Sequence, residues 1–223
     1  MPRISSNLVG LLSAIAALLT LAGHLLYHPW LEYFFKPLAT VLILSIAFSQ
    51  WRADKGSYSF WITVGLFFSF LGDIALLWPA LYFLPGLAAF LVTHLSYLIA
   101  FTRDAKFPAR PSIWVLYLAI AAAMFVFLFP NLPSSLKIPV ALYSLLLASM
   151  AAQAMGRYLA LKTSPARLAA TGAILFMLSD VLLAFDHFHS AIPSAPLLVL
   201  TPYYLAQWLI ARSTVPPRKQ QTS

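Results

Sequence analysis

The stretch GLFFSFLGDIALL, residues 65–77, decides how this sequence is interpreted, because it holds one carboxyl side chain, Asp73, in an otherwise nearly apolar run. The stretch GAILFMLSDVLLA, residues 172–184, repeats the arrangement around Asp180. Both lie within longer apolar segments of about 20 residues, the length that a helix needs to cross a hydrocarbon layer roughly 30 Å thick. The two stretches therefore predict membrane-spanning helices that carry buried carboxyl groups.

The composition of the whole chain points to the same class. Of 223 residues, 61% are apolar and only 9% are charged, whereas soluble domains average about 25% charged residues. We expect an all-α fold, a polytopic membrane helix bundle, because the prolines lie mostly near the ends of the apolar segments. Eight spans are predicted, at about residues 8–27, 35–51, 59–79, 83–102, 112–129, 135–156, 168–188 and 195–211.

The basic residues are distributed unevenly around these spans. Lys36 and Lys137 fall on one side of the predicted membrane. Twelve fall on the other side: Arg3, Arg52, Lys55, Arg103, Lys106, Arg110, Arg157, Lys162, Arg167, Arg212, Arg218 and Lys219. This split predicts an even number of spans in a cell inner membrane, with both termini and a short basic tail, residues 212–223, in the cytoplasm. The net charge of +8 is therefore a topology signal, and no nucleic-acid partner is expected.

The first span follows Arg3 and is expected to be a retained signal-anchor, because its apolar stretch is longer than that of a cleaved signal. The chain has no cysteine. Disulfides, thiolate nucleophiles and cysteine-ligated metals are therefore excluded.

An internal repeat relates the two halves of the chain. A glycine lies eight residues before each aspartate, at Gly65 and Gly172, and a tyrosine lies 24 residues after each, at Tyr97 and Tyr204. A lysine followed within two residues by proline opens both the second and the sixth span. Two parallel four-helix repeats are expected, because an even number of spans per half preserves the orientation. Chance similarity between leucine-rich helices is the alternative.

The two aspartates are the candidate catalytic residues. A carboxylate inside a span costs about 2.5–3.5 kcal/mol, and such groups usually face the bundle interior or a wet cavity. Asp73 and Asp180 lie at similar predicted depths, roughly 9 and 12 Å below the same ends of their spans. We therefore expect them to share a site, where the pair can divide into a general acid and a general base. The alternative is two neutral side chains that hydrogen-bond helix to helix.

Further polar side chains fall at comparable depths. His94 and Tyr97 are three residues apart and are predicted to share a helix face. Tyr203, Tyr204 and Gln207 form a second cluster in the eighth span. These five residues are candidates for substrate binding.

The lysines and histidines at span ends leave two interpretations open. Lys36 and Lys137 either hold a lipid phosphate or extend to water. His24, His28, His187 and His189 are expected to be interfacial polar residues, and a metal site with Asp180 or Asp186 is a weaker alternative. Glu32 and Asp186 are expected to be solvated. No metal or cofactor is predicted.

These residues together resemble a known family. The pattern consists of Lys36-Pro37-Leu38, Gly72-Asp73, His94 with Tyr97, Gly172-Ala173 leading to Ser179-Asp180, and Tyr203-Tyr204 with Ala206-Gln207. It is similar to the YhhN family of integral membrane proteins, which includes the lysoplasmalogenases, and it extends from about residue 30 to 211.

The resemblance implies an eight-span hydrolase of ether bonds. Its substrate would be a lysophospholipid taken from the bilayer, whose vinyl-ether bond is cleaved to a fatty aldehyde and glycerophosphoethanolamine or glycerophosphocholine. Asp73 and Asp180 would be the acid/base pair. The implied substrate-binding residues are Lys36, His94, Tyr97, Tyr203, Tyr204 and Gln207.

A transporter or channel is the rival class, because it would also place carboxyl groups in mid-membrane as a proton or ligand site. Many transporters are built from inverted repeats with helices broken at the binding site. Here the repeats are predicted to be parallel and most prolines lie near span ends. The hydrolase interpretation is therefore favoured.

Overall fold

A computed structural model of the protein describes residues 6–216. This part of the chain is helical, without β-strands: α1 Ser6–Leu25, α2 Pro29–Asp54, α3 Ser57–Ala75, α4 Pro79–Phe101, α5 Pro111–Leu128, a 3-10 turn Phe129–Asn131, α6 Lys137–Leu161, α7 Ser164–Phe188 and α8 Ala195–Arg212. The predicted polytopic helix bundle is thereby confirmed. Arg3, Arg218, Lys219 and the predicted tail beyond residue 216 lie outside the described residues.

Prolines set the beginnings of several helices. Five helices have proline in the first turn, where a backbone N–H has no partner inside the helix. Because Pro29 begins α2, this helix starts about two turns before the predicted span, and Pro37 lies inside it. Helix α4 is kinked at Tyr82, three residues before Pro85, where φ is −123° and ψ is 21°. The predicted span began only after this kink.

Seven of the helices in residues 6–216 are long and apolar enough to cross a membrane. Helix α8 is less apolar, because its 18 residues include Thr201, Tyr203, Tyr204 and Gln207. It nevertheless packs along α7, where the Ser179 hydroxyl donates a hydrogen bond of 2.9 Å to the Val199 carbonyl. At 1.5 Å per residue its length is about 27 Å, close to the thickness of a hydrocarbon layer.

The helices pack in the same pattern in the two halves, α1–α4 and α5–α8. Within each half, consecutive helices are in contact. Between halves, α4 packs on α6 and α2 packs on α8, so that the fourth helix of each half meets the second helix of the other. This is the arrangement expected for two repeated four-helix units. It brings polar residues of α2, α4, α6 and α8 next to the aspartates of α3 and α7.

Small residues allow the closest approaches inside each half. The Cα of Gly65 lies against the ring of Tyr97, so that a β-carbon there would overlap the ring. A β-carbon at Gly172 would lie 2.8 Å from the Ala206 carbonyl oxygen. Helices approach closely in membranes where such residues face each other. These contacts fix α3 on α4 and α7 on α8, and thereby position Asp73 and Asp180.

The outer surface of the bundle is apolar, as lipid contact requires. In α5, Val115 and Val126 are each 70% exposed, and only 11% of this span is buried inside the protein. Large apolar side chains in water would form an adhesive patch. The protein is therefore an integral membrane protein.

Candidate active site

One cavity joins the two aspartates. It has a volume of about 230 Å³ and is lined by Asp73, Asp180, Lys36 and Tyr203, among others. It lies toward the beginnings of α2, α4 and α8 and the ends of α3 and α7, which we call the outer ends of the helices. The convergence expected from the two sequence stretches is therefore present in the fold. We call this space the polar cavity.

Asp73 is held by hydroxyl groups from both halves of the chain. Its side chain is buried, and its Oδ2 atom accepts hydrogen bonds of 2.5 Å from Thr40 of α2 and 2.7 Å from Tyr203 of α8. Lys36, one turn before Thr40, is also buried and lines the same cavity. Asp73 is thus fixed in position between a cation and two donors.

Asp180 has a different set of neighbours. Its Oδ2 atom accepts a hydrogen bond of 2.7 Å from the hydroxyl of Tyr143 in α6. The Nε2 atom of His94 in α4 lies 3.3 Å from the same oxygen and 3.0 Å from the Tyr143 hydroxyl. His94 is fully buried, whereas the Asp180 side chain is 10% exposed, into the cavity. The three groups form a triangle in which a proton can move over short distances.

The rim of the polar cavity carries charges of both signs. Glu32 and Asp186 line it together with Lys36. Asp186 also accepts a hydrogen bond of 2.7 Å from the backbone N–H of Ile192. Both carboxyl groups are partly buried rather than fully solvated. The rim can therefore contact a ligand that has an anionic and a cationic group.

Lys137 does not occupy a position equivalent to that of Lys36. Its ammonium group lies 4.1 Å from the centre of the Phe129 ring, and it does not line the polar cavity. Counting from the aspartates gives the reason, because Lys36 precedes Asp73 by 37 residues and Tyr143 precedes Asp180 by 37 residues. In the repeat, Tyr143 is the counterpart of Lys36.

Four of the six predicted substrate-binding residues do not line the polar cavity: His94, Tyr97, Tyr204 and Gln207. Of these, His94 contacts Asp180. The Tyr97 hydroxyl donates a hydrogen bond of 2.6 Å to Gln207 Oε1, and Gln207 Nε2 donates one of 2.6 Å to the Ser69 hydroxyl. Tyr97 and Gln207 therefore tie α3, α4 and α8 together beneath the cavity. Tyr204 lines a separate groove between α1 and α8. Direct substrate contact by these four side chains stays a prediction.

The histidines at span ends have ordinary partners. His187 stacks on Phe83 with ring centres 4.4 Å apart, and His189 Nδ1 lies 3.0 Å from the Asn131 amide. His24 lies 3.9 Å from Glu32. Within residues 6–216, no three His, Asp or Glu side chains are placed to hold one metal ion.

Sequence reasoning missed Tyr143 and Thr40. Neither residue type is costly in an apolar helix, so neither stands out as a buried charge does. For Tyr143 a signal was available, because the 107-residue interval between the aspartates also separates Lys36 from Tyr143. This signal was missed because Lys36 was matched with Lys137, which opens the sixth span in a similar way, instead of with Tyr143.

Comparisons with known proteins show the family of this chain. The YhhN family profile matches residues 31–214. The chain is 35% identical to the lysoplasmalogenase TMEM86B of Homo sapiens over 83% of its own length and 77% of the relative. It is 35% identical to TMEM86B of Rattus norvegicus, over 78% of the chain and 70% of the relative, and 25% identical to the membrane protein YhhN of Escherichia coli O157:H7, over 82% and 87%. No solved structure matches the chain. The chain therefore belongs to the YhhN family.

Proposed function

We propose that this protein is an intramembrane hydrolase that cleaves the vinyl-ether bond of lysoplasmalogens. The observation that carries the proposal is the polar cavity, where Asp73 and Asp180 from the two halves meet beside Lys36. Relatives that share about a third of its residues bear the name lysoplasmalogenase. The products would be a fatty aldehyde and glycerophosphoethanolamine or glycerophosphocholine.

The chemistry requires one acid and one base. A vinyl ether reacts when a proton adds to its β-carbon, which leaves an oxocarbenium ion at the carbon bonded to oxygen. Water adds to that carbon and loses a proton to the base, and the resulting hemiacetal breaks into an aldehyde and an alcohol. Glycoside hydrolases use two carboxyl groups in a comparable way, through a transition state of similar charge. Asp73 and Asp180 are two of the four carboxyl groups that line this cavity, and the other two, Glu32 and Asp186, lie at its rim.

The rim residues match the head group of such a lipid. Lys36 is placed to bind the phosphate, because an ammonium group forms strong charge-assisted hydrogen bonds to phosphate oxygens. Glu32 and Asp186 line the same cavity and offer negative charge to an ethanolamine or choline ammonium. Tyr203 and His94 orient the two aspartates.

We place the polar cavity on the non-cytoplasmic side of an inner membrane. Arg52, Arg103 and Arg212 lie at the helix ends opposite to the cavity. Basic loops stay in the cytoplasm, so the cavity would open toward the other face and both termini would be cytoplasmic.

The direct test is aldehyde release from a purified lysoplasmalogen. The control substrate is the saturated 1-O-alkyl lysophospholipid, which has the same head group and chain but no double bond to protonate. We expect aldehyde from the vinyl ether only. A folded protein that releases none would refute the proposal. Concentrative uptake of the intact lipid into proteoliposomes under a proton gradient would then support the transporter alternative, which the buried carboxyl groups motivate.

A further inference from the structure

A second cavity adjoins the polar cavity. It lies between α4, α5, α6 and α7, has a volume of about 80 Å³, and is lined mostly by apolar side chains, including Leu87, Ala121, Met124, Leu128, Val140 and Leu147. The polar side chains that line it are Tyr143, Ser144, Asp180 and His187. We call it the apolar slot. It runs alongside the polar cavity, on an adjacent face of α7.

The two cavities share part of their walls. Six residues line both: Leu76, Phe83, Phe90, Asp180, Leu183 and His187. Asp73, Lys36 and Glu32 line the polar cavity and not the slot. Asp180 and His187 are the ionisable residues that line both cavities. Of these two, only Asp180 belongs to the proposed acid/base pair. A molecule that is charged at one end and apolar at the other would fill both cavities and pass Asp180 at the junction.

We infer that the apolar slot binds the alkenyl chain of the substrate while the polar cavity binds its glycerophospho head group. The inference rests on the proposed function and specifies how the lipid is oriented. A single-chain lysophospholipid matches the polarity of the two cavities, because it has one apolar chain and one charged head group. The alkenyl chain moves into the slot from lipid that is equally apolar, so no apolar surface is removed from water. Close packing against the slot residues therefore stabilises the bound chain.

This orientation gives the two aspartates different roles. The β-carbon of the vinyl ether is the first carbon on the chain side, and the carbon bonded to oxygen is on the head-group side. Asp180, at the junction with the slot, therefore donates its proton to the β-carbon. Asp73, which lines the polar cavity alone, accepts the proton of the water that adds to the oxygen-bonded carbon. When the hemiacetal breaks, Asp73 gives its proton to the ether oxygen and the hemiacetal hydroxyl gives its proton to Asp180, so that both carboxyl groups return to their starting states.

Chain length is the property that tests the slot. Ala121 lines it near the middle of α5 and is 9% exposed. Ala121→Phe shortens the slot, so we expect kcat/KM to fall at least tenfold for a 16-carbon chain and to stay within twofold for an 8-carbon chain. Ala122→Phe is the matched control, because it makes the same change one residue along α5 on an exposed position. Equal losses for both chain lengths in a variant of wild-type thermal stability, or equal effects of the two substitutions, would overturn the inference.

A labelling experiment tests the slot without turnover. A saturated 1-O-alkyl lysophospholipid with a diazirine at the end of a 16-carbon chain is bound to the wild-type protein, illuminated and mapped by mass spectrometry. We expect labels in α5 and α6, at residues 121–128 and 140–147, and competition by unlabelled lipid. Labels confined to lipid-facing positions such as Val115 would overturn the inference even if the protein hydrolyses lysoplasmalogen. Labels in the slot without any hydrolysis would support the binding site and refute the proposed reaction.

Discussion

Asp73 and Asp180 occupy equivalent positions in the two halves of the chain, but their surroundings differ. Asp73 is bound by two hydroxyl groups, from Thr40 and Tyr203, and lies near Lys36. Asp180 is bound by Tyr143 and lies beside His94. In both cases the partners come from the second helix of the same half and the fourth helix of the other half. The partner helices correspond in the two halves, and the side chains around each carboxyl group differ.

The exchange of Lys36 for Tyr143 is the most informative difference. The two residues are 107 positions apart, the same interval as between the aspartates. The lysine provides a cation where a phosphate would bind, whereas the tyrosine lies at the wall of the apolar slot. Divergence at one repeated position thus gives the two halves a head-group side and a chain side.

Removing both carboxyl groups should have the largest effect on activity. For the double variant Asp73→Asn/Asp180→Asn we expect turnover of lysoplasmalogen to fall by about 10³-fold or more, since each positioned acid or base contributes about 10²–10⁴-fold. Aldehyde release by purified protein measures it. Asp54→Asn, at the exposed end of α2, makes the same chemical change outside the cavity and should retain wild-type turnover. A double variant that turns over like wild type would remove both aspartates from the reaction.

Of the two lysines, only Lys36 is expected to affect KM when it is replaced. Lys36→Met should raise KM about tenfold, because a hydrogen bond to a charged group contributes about 1.5–3 kcal/mol. Lys137→Met, the change at the lysine that packs on Phe129, should leave KM within twofold. Steady-state kinetics with a lysoplasmalogen series measures both. Equal shifts in the two variants would contradict the assignment of Lys36 to the phosphate.

The tyrosines that bind the aspartates should show a moderate effect. Tyr143→Phe and Tyr203→Phe each remove one hydroxyl from a carboxylate, and we expect kcat to fall about fivefold to tenfold, the cost of about one hydrogen bond. Tyr204→Phe, beside Tyr203 but facing the groove at α1, is the control and should change kcat less than twofold. If Tyr204→Phe matched Tyr203→Phe, the loss would reflect packing and not the orientation of Asp73.

The two equivalent glycines, Gly65 and Gly172, differ in what an added β-carbon would contact. A β-carbon at Gly65 would meet the Tyr97 ring, whereas one at Gly172 would meet the Ala206 backbone oxygen at 2.8 Å. Overpacking of this kind typically costs about 1–3 kcal/mol. We expect Gly172→Ala to lower the melting temperature in detergent more than Gly65→Ala, because backbone yields less than a side chain. The reverse order would mean that α7 and α8 separate more readily than α3 and α4.

Much of the fold followed from the sequence. Apolar length and proline positions predicted a polytopic helix bundle, and the charges buried in apolar stretches predicted that Asp73 and Asp180 share a site. A carboxyl group in a span is so costly that its presence carries information by itself. Lys36 was found for the same reason.

The rest depends on how each helix is rotated, which the sequence does not reveal. Tyr203 and Tyr204 are adjacent, so helical geometry points them about 100° apart, and only Tyr203 reaches the polar cavity. His94 and Tyr97 share a helix face, yet one lies against Asp180 and the other against Gln207. Tyr143 and Thr40 carry no charge, so only packing places them. The beginning of α2 was missed because Pro37 is tolerated inside the helix.

In the proposed reaction the two aspartates perform different steps, and the two single variants separate these steps. Protonation of carbon is the slow step of vinyl-ether hydrolysis, whereas water adds to an oxocarbenium ion readily. The kcat values of Asp180→Asn and Asp73→Asn, measured side by side as aldehyde release, should therefore both fall, with Asp180→Asn the slower. Wild-type turnover in either variant, or a slower Asp73→Asn, would contradict the account.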